Sequence, residues 1–556
     1  MAEAADDKRM GIFGWGLVAP RSPNIETFER NLSARESWLT PFEGFGPSNF
    51  LVGMPEFDFE VYKPWIDARF EPRRFAQLDE KMGSNVKYAI GAFLQALEQN
   101  PELESILQDL GTQAHVYVGT GLGDLPLEYE VAVQYHHAQQ RWDRFWCREE
   151  HHPQLAAYRR ADPEEKQRIR EDMHLPEDPA DLDPEDPRHD QVREEWFSGW
   201  LPHSEGLKEY LAELREIEGQ SIGEDVEASK RAMIRRKLAA RKRLNKRYGC
   251  PPEPWTSVDA KLLWNIANIP AAQISMLAGI TGPAIAPVAA CSTFGIALKM
   301  AENAIRLGQA KLAVVGATDP PPHPLVVAGF YNARVLSHDS EVSKPLTGMR
   351  GTHVAGGSCI WIVGDADYLM ERGLEPLGLE ILGIGVSSDA DHIITPSEEG
   401  PRIAMRQAFD EAGVEASAVR SWDMHATATP GDWTELLNAL SVLPDARAIT
   451  ARKGTFGHGM SVCGGWELTA QHLGVARGEL PPVHVSEDEL HPMIQPHMHR
   501  LVRDEAVETE GDTAGKISMG IGGINCCIVG RRWRSEEGAG EEKDVEETDD
   551  PESDEA

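Results

Sequence analysis

Cysteine is scarce in this chain, and none of it is paired by spacing. The seven residues Cys147, Cys250, Cys291, Cys359, Cys463, Cys526 and Cys527 contain no C-x-x-C motif. That excludes a disulfide framework and suits a reducing compartment. Long apolar runs are missing as well, with nothing near the ~20 residues that span a bilayer. The start, "MAEAADDKRMGIFGWG", has neither the charged region nor the apolar core of a signal peptide. Positive charge is in short supply: 55 basic residues face 90 acidic ones, a net charge of −35. That balance argues against nucleic acid or an anionic membrane as the main partner. No P-loop occurs, and the glycines of "GTGLGD" (Gly119 to Asp124) depart from a dinucleotide-binding spacing, so that segment reads as a strand-end turn. His136, His137, His151 and His152, like His491, His497 and His499, match no zinc pattern and read as surface residues. The expectation is a soluble cytoplasmic protein without metal.

What is present is an α/β rhythm, interrupted once. Residues 9–127 alternate apolar strands with helical periodicity, and 257 onwards resumes the pattern. Between them, 128–256 is rich in charge, tryptophan and histidine, and reads as a helical insertion. Its basic helix, Ser229 to Cys250, presents either a solvated face or a docking face for an acidic protein or for the chain's own tail. The tail, 535–556, is almost wholly acidic or small and is expected to be disordered.

A weak internal repeat organises the rest. "MGIFGWGLVAP" corresponds to "LEILGIGVSSD", "NVKYAIGAFLQALEQ" to "GPRIAMRQAFDEAGV", and "AHVYVGTGLGD" to "SWDMHATATPGD". "AIAPVAACSTFGIALKMAENAI" then corresponds to "AITARKGTFGHGMSVCGGWELTAQ". This predicts a duplicated half-domain, with 9–127 and 257–340 forming the first half and 341–534 the second. The equivalent helix-start turns carry Cys291 and the "KGTFGHG" segment. A cysteine at a first helical turn is stabilised as thiolate by the helix dipole and free N–H groups. Taken alone, Cys291 is more often a small core residue, and His425 and His458 could each be structural histidines and Lys453 a surface charge.

Taken in order, the motifs resemble those of the β-ketoacyl-acyl-carrier-protein synthases, condensing enzymes of the thiolase-like αβαβα fold. "AACSTFG" resembles the family's active-site cysteine segment, "HATATP" its "HGTGT" motif, "KGTFGHG" its lysine-to-histidine segment, and "GIGGIN" its "GFGGTN" turn. "NIPAAQIS" (Asn268 to Ser275) looks like the helix before the nucleophile strand. The resemblance implies Cys291 as acyl acceptor, with His425 and His458 stabilising the enolate left by malonyl decarboxylation and Lys453 biasing them. It also implies Thr427 and Thr429 on the pantetheine arm and the turn Gly520, Ile521, Gly522 and Asn525 beside the substrate, the N–H groups of Cys291 and Ile521 receiving the oxyanion. No cofactor is implied, because the phosphopantetheine arrives on an acyl carrier protein. A homodimer, or a heterodimer with a homologous synthase, is implied too. Arg235, Arg236 and Arg243 of the basic helix are expected to meet the carrier, so reversing their charge should weaken carrier binding.

Several positions depart from that pattern. Gly356 stands where an acid supporting the lysine is expected. Ala426 and Ala428 replace small or glycine positions, and Asp432 comes one residue early. Ile521 and Ile524 replace the gate phenylalanine and a threonine. A chain-length-factor-like partner subunit and a cysteine-dependent acyltransferase are the alternative readings. A thiolase proper would place a second catalytic cysteine near the last glycine turn, where Cys526 and Cys527 sit in a different context.

Overall fold

Two glycine pairs decide how closely helix can approach sheet. The computed structural model describes residues 8–46, 49–219, 226–509 and 511–534. The acidic tail 535–556 lies outside them. The chain divides into a larger unit, built from the segments before Pro126 and after Leu263, and a smaller one, Leu127–Leu262.

In the larger unit the first half contains β1 (Met10–Val18), α1 (Ser84–Gln99), β2 (Ala114–Gly119), α2 (Ile269–Ala278), β3 (Ala284–Ile285), α3 (Thr293–Arg306), β4 (Leu312–Asp319) and β5 (Gly357–Asp365). The second half contains β6 (Leu379–Ser388), α4 (Glu399–Ala412), β7 (Ser421–Asp423), β8 (Ala448–Thr450), α5 (Cys463–Arg477), β9 (Thr513–Gly520) and β10 (Ile524–Arg532). All ten strands share one sheet in the order β8-β7-β9-β10-β6-β1-β5-β4-β2-β3. Each half has the same pattern: its first strand pairs antiparallel with its last, which pairs antiparallel with the fourth, followed by two parallel pairings. The halves join where Met10 and Gly11 pair with Ile381 and Glu380.

Three cores give the layering. One packs α1, α2 and the outer face of the first half-sheet. Another packs α4 and the outer face of the second. Between the half-sheets lies the third, where Phe294, Leu298 and Ile305 of α3 meet Cys463, Trp466 and Val475 of α5. The αβαβα order follows from these three apolar interfaces.

The half boundary differs from the sequence expectation. β5 pairs with β1 and β4, so the first half runs on through Asp365 and the second starts at β6, not at residue 341. The repeat visible in sequence stops at the buried helix. The two antiparallel strands that close each half share too little sequence to extend it.

The glycine pairs are equivalent by the repeat. A Cβ on Gly16 would lie 2.0 Å from the Ala92 carbonyl oxygen of α1, and one on Gly385 would lie 1.9 Å from that of Ala404 on α4. Both obstacles are backbone, so neither helix can yield by rotating a side chain. Gly385→Ala is therefore expected to destabilise the protein by about 3 kcal/mol, read as a lowered midpoint of urea unfolding.

The smaller unit is helical. Trp142, Trp146, Tyr210 and Leu244 form one cluster, and Leu155, Tyr158, Trp196 and Trp200 another. Its basic helix spans Val226–Tyr248. There Arg241 faces Glu253 at 3.8 Å, Lys237 faces Glu218 at 3.7 Å, and Arg247 pairs with Glu213. Arg235, Arg236 and Arg243 stay exposed. His152 corrects the surface reading: it is fully buried, its Nδ1 accepts from Leu155 N, and its Nε2 faces the Trp200 carbonyl at 2.9 Å. Among the described residues no helix is long and apolar enough to cross a membrane.

Candidate active site

Cys291 lies in the single helical turn Ala290–Ser292 that runs into α3, directly after Ala290 with its φ of 47°. An alanine in the left-handed region is strained, and the surrounding bonds hold it there. Thr293 Oγ1 donates to the Ala290 carbonyl and accepts from Ala289 N, while Ser292 Oγ donates to the Ile524 carbonyl at 2.8 Å. The last bond ties the nucleophile turn to the turn between β9 and β10. Gly520 permits that approach, because a Cβ there would sit 2.9 Å from the Ala289 oxygen.

The second half repeats this turn. Met460, with φ 50°, precedes Ser461 in the turn Met460–Val462 at the start of α5. Ser461 is no nucleophile: its N and Oγ both donate to Asp319 Oδ2, at 2.9 and 2.5 Å. Asp319, at the end of β4, also accepts from Thr120 Oγ1, Gly121 N and Leu122 N. The "GTGLGD" glycines thus form a strand-end turn around a buried carboxylate.

Cys291 Sγ and His458 Nε2 are 3.1 Å apart. The His425 and His458 rings meet edge-on, with centroids 5.4 Å apart. Lys453 Nζ donates to the His425 carbonyl and lies 3.4 Å from His425 Nδ1. An ammonium can only donate, so Nδ1 accepts and His425 carries its proton on Nε2. Burial, followed by the positive charge of Lys453, holds both imidazoles well below the ordinary histidine pKa. They are neutral hydrogen-bond donors at neutral pH. Burial also pushes the Cys291 thiol up to about 11, while Lys453 and the N–H groups of Ile521 and Cys291 pull it back.

These groups open on a cavity of about 160 Å3 lined by Cys291, His425, His458, Thr427, Thr429 and Ile521 among others. Thr427 and Thr429 hydroxyls lie 3.0 Å apart on its wall. Ile521, 42% exposed, stands at the opening. Gly522 and Asn525 do not line it. Gly522 N donates to the Ile393 carbonyl at 2.7 Å, and buried Asn525 donates to Asp389 Oδ1 at 2.6 Å, so both shape the turn from behind. The altered "HATATP" loop is held by acids: Glu435 accepts from His425 N and Ala426 N, and Asp432 from Thr427 N and Leu346 N. The sulfur and the two imidazoles have donor atoms within 4.8 Å of one another, which makes them the one metal-sized cluster among the described residues.

The acid that supports Lys453 was missed in the sequence. Gly356 has no room for a side chain, since a Cβ would lie 2.1 Å from the Pro320 oxygen. Glu467 on α5 does that work, with Oε1 2.6 Å from Lys453 Nζ. Its other oxygen lies 2.7 Å from a second buried lysine, Lys516, which also faces Asp423 at 3.0 Å. The available signals were a lone acid in the apolar helix "CGGWELTAQ" and a lone lysine in the strand "TAGKISMG". Despite burial, Cys463 and Glu467 together hold the Lys453 pKa above the ordinary lysine value.

Comparison with known proteins gives two family matches: the beta-ketoacyl synthase N-terminal domain over residues 243–361 and the C-terminal domain over 379–486. A putative mitochondrial 3-oxoacyl-[acyl-carrier-protein] synthase of Schizosaccharomyces pombe is 30% identical over 283 residues, 48% of this chain and 66% of that protein. A 3-oxoacyl-[acyl-carrier-protein] synthase 2 of Rhizobium meliloti is 30% identical over 279 residues, 48% of this chain and 65% of its own length. The chain thus spans just under two thirds of these relatives. Among solved structures, the ishigamide ketosynthase/chain length factor aligns with TM-score 0.64 at 20% identity, covering 95% of this chain and all of that one. A beta-ketoacyl synthase from Burkholderia phymatum aligns with TM-score 0.64 at 18% identity and the same coverage. These likenesses show the thiolase-like fold.

Proposed function

This chain belongs to the β-ketoacyl synthase family, and from that premise we propose that it catalyses decarboxylative condensation of a Cys291-bound acyl group with a malonyl thioester. The observation that carries the reading is the buried trio: thiol, His458 Nε2 at 3.1 Å, and His425 with Lys453 on its Nδ1.

The chemistry follows from the geometry. Cys291 sulfur, steadied by the Nε2–H of His458 as it gives up its proton, attacks the acyl carbonyl carbon, and the carrier thiolate leaves and takes up that proton. The malonyl arm then enters past Ile521, along Thr427 and Thr429. Its carboxylate C–C bond breaks, CO2 leaves, and the electron pair becomes an enolate held by the two neutral imidazoles. The enolate carbon attacks the Cys291 thioester. The tetrahedral oxyanion is received by the N–H groups of Cys291 and Ile521, and collapse expels the cysteine as a thiolate, which takes up a proton from solvent. Apart from that proton each step uses groups of this chain, and no cofactor is invoked.

Acyl carrier protein is the proposed thioester donor, and the exposed Arg235, Arg236 and Arg243 are suited to its acidic surface. The edge strand β3, with Ile285 and Val288 exposed beside it, supports pairing with a second copy or a homologous subunit. Seven free cysteines support a reducing compartment, the cytoplasm. A partner-subunit role without chemistry is disfavoured by the intact Cys291–His458 contact, and an acyltransferase role by a second imidazole that acyl transfer does not use.

The test is release of CO2 from malonyl-acyl carrier protein. Both imidazoles are held below the ordinary histidine value, so protonation does not reach them near pH 6.5. The cavity-wall groups pushed into this range by burial, Asp432 at about 6 and Glu435 at about 8, lose negative charge beside Lys453 as pH falls. The rate is therefore expected not to fall between pH 7.5 and 5.5. A fall on the acid side with a midpoint near 6.5 would contradict neutral donors, and no CO2 at any pH would contradict the reaction.

A further inference from the structure

Behind the histidine pair lies an ion cluster that the reaction as derived does not use. Lys516, on β9, is completely buried. Its ammonium faces Glu467 Oε2 at 2.7 Å and Asp423 Oδ1 at 3.0 Å, and donates to the Ile517 carbonyl. Glu467 uses its other oxygen on Lys453. Asp423, on β7, accepts from Thr450 Oγ1 at 2.6 Å and faces Arg452 Nε at 3.8 Å. Three cations, Lys453, Lys516 and Arg452, therefore share these two carboxylates, with Asp432 and Glu435 near Lys453 on its far side. A positive charge held in a dry interior acts most strongly on a negative charge that forms beside it.

We propose that Lys516 is a positioning residue of this active site: through Glu467 it fixes Lys453 against His425, and it places a buried positive charge behind the two imidazoles. The inference rests on the condensation reading, in which the negative charge that forms is the enolate. With Glu467 held from both sides, Lys453 Nζ cannot turn away from the His425 carbonyl and Nδ1. The field of Lys516 also reaches both rings, where it opposes their protonation alongside Lys453. The other groups around the cluster are Cys463 on α5, Cys526 and Cys527 on β10, and Asp432 and Glu435, whose carboxylates face Lys453 from the far side.

Charge counting separates position from mere packing. Lys516→Met removes one positive charge from the cluster. Adding Asp423→Asn removes one negative charge and so restores the native net charge. Decarboxylation of malonyl-acyl carrier protein by Lys516→Met is expected to fall about 30-fold in kcat, with KM within about twofold. The double variant is expected to regain most of that loss. A single variant that is folded and decarboxylates like the native protein would overturn the proposal, as would a double variant that stays as slow as the single one. Imidazole 15N shifts in the native protein give a reading independent of the reaction and of variant folding. They should show His425 and His458 neutral down to pH 5, and protonation of either above pH 6 would also overturn the proposal. A native protein that decarboxylates nothing yet keeps both rings neutral would sink the condensation reading alone.

Discussion

Intact Cys291→Ala protein, incubated with a panel of acyl-carrier-protein thioesters, is expected to gain no mass, whereas the native chain gains one acyl group. Condensation should fall by about 10⁴-fold or more, the scale of losing a covalent nucleophile whose surroundings remain in place. The fold should be indifferent. The side chain packs at the end of a turn held by Thr293 and Ser292, and neither of their bonds involves the sulfur. Malonyl decarboxylation should persist in the variant, because the imidazoles and Lys453 act on the second substrate. Acylation in the native protein, measured by intact mass, also reveals which chain length the cavity prefers. A mass gain that survives the substitution would place the acceptor elsewhere.

The second large effect concerns stability. Glu467→Ala should remove about 3–5 kcal/mol, because it leaves Lys453 and Lys516 buried with Asp423 as the remaining carboxylate of the cluster. The sign with pH follows from the lysines. Both are held above the ordinary lysine pKa of 10.5. Their contribution is therefore fully present below that value and is lost only as pH rises through the folded pKa. The penalty should thus be the same at pH 6 and pH 9. Urea midpoints at the two pH values, for native and variant protein, measure it. Glu467→Gln keeps the shape and separates the charge from the space it fills.

Much of this was legible in the residues, for reasons that differ from site to site. The G-x-G pairs of β1 and β6 mark where a helix backbone meets a strand, so the duplication showed in sequence at the very positions where contact is closest. Cys291, His425, Lys453 and His458 converge because each ends or begins an element at the same rim of the sheet. The half boundary was misplaced because β5 returns to the first half after a long excursion. No local pattern reports which strand a segment pairs with. Gly356 was the wrong place to seek the supporting acid. Glu467 lies fourteen residues after Lys453, one element further on, and a lone glutamate in a helix ordinarily reads as exposed. Lys516 was invisible for the same reason: its burial is set by Asp423 and Glu467, which only the tertiary arrangement brings to it.

The twin turns at Cys291 and Ser461 have a consequence for how this molecule tolerates change. One copy of the turn presents its side chain to the cavity; the other gives its hydroxyl to Asp319, an aspartate of the opposite half. The second copy is thus a rivet, and it sits three residues after His458. Any drift between the halves would have to break that rivet before it could carry His458 away from the sulfur. Duplication followed by unequal use has left this chain with a built-in gauge for its own reacting distance.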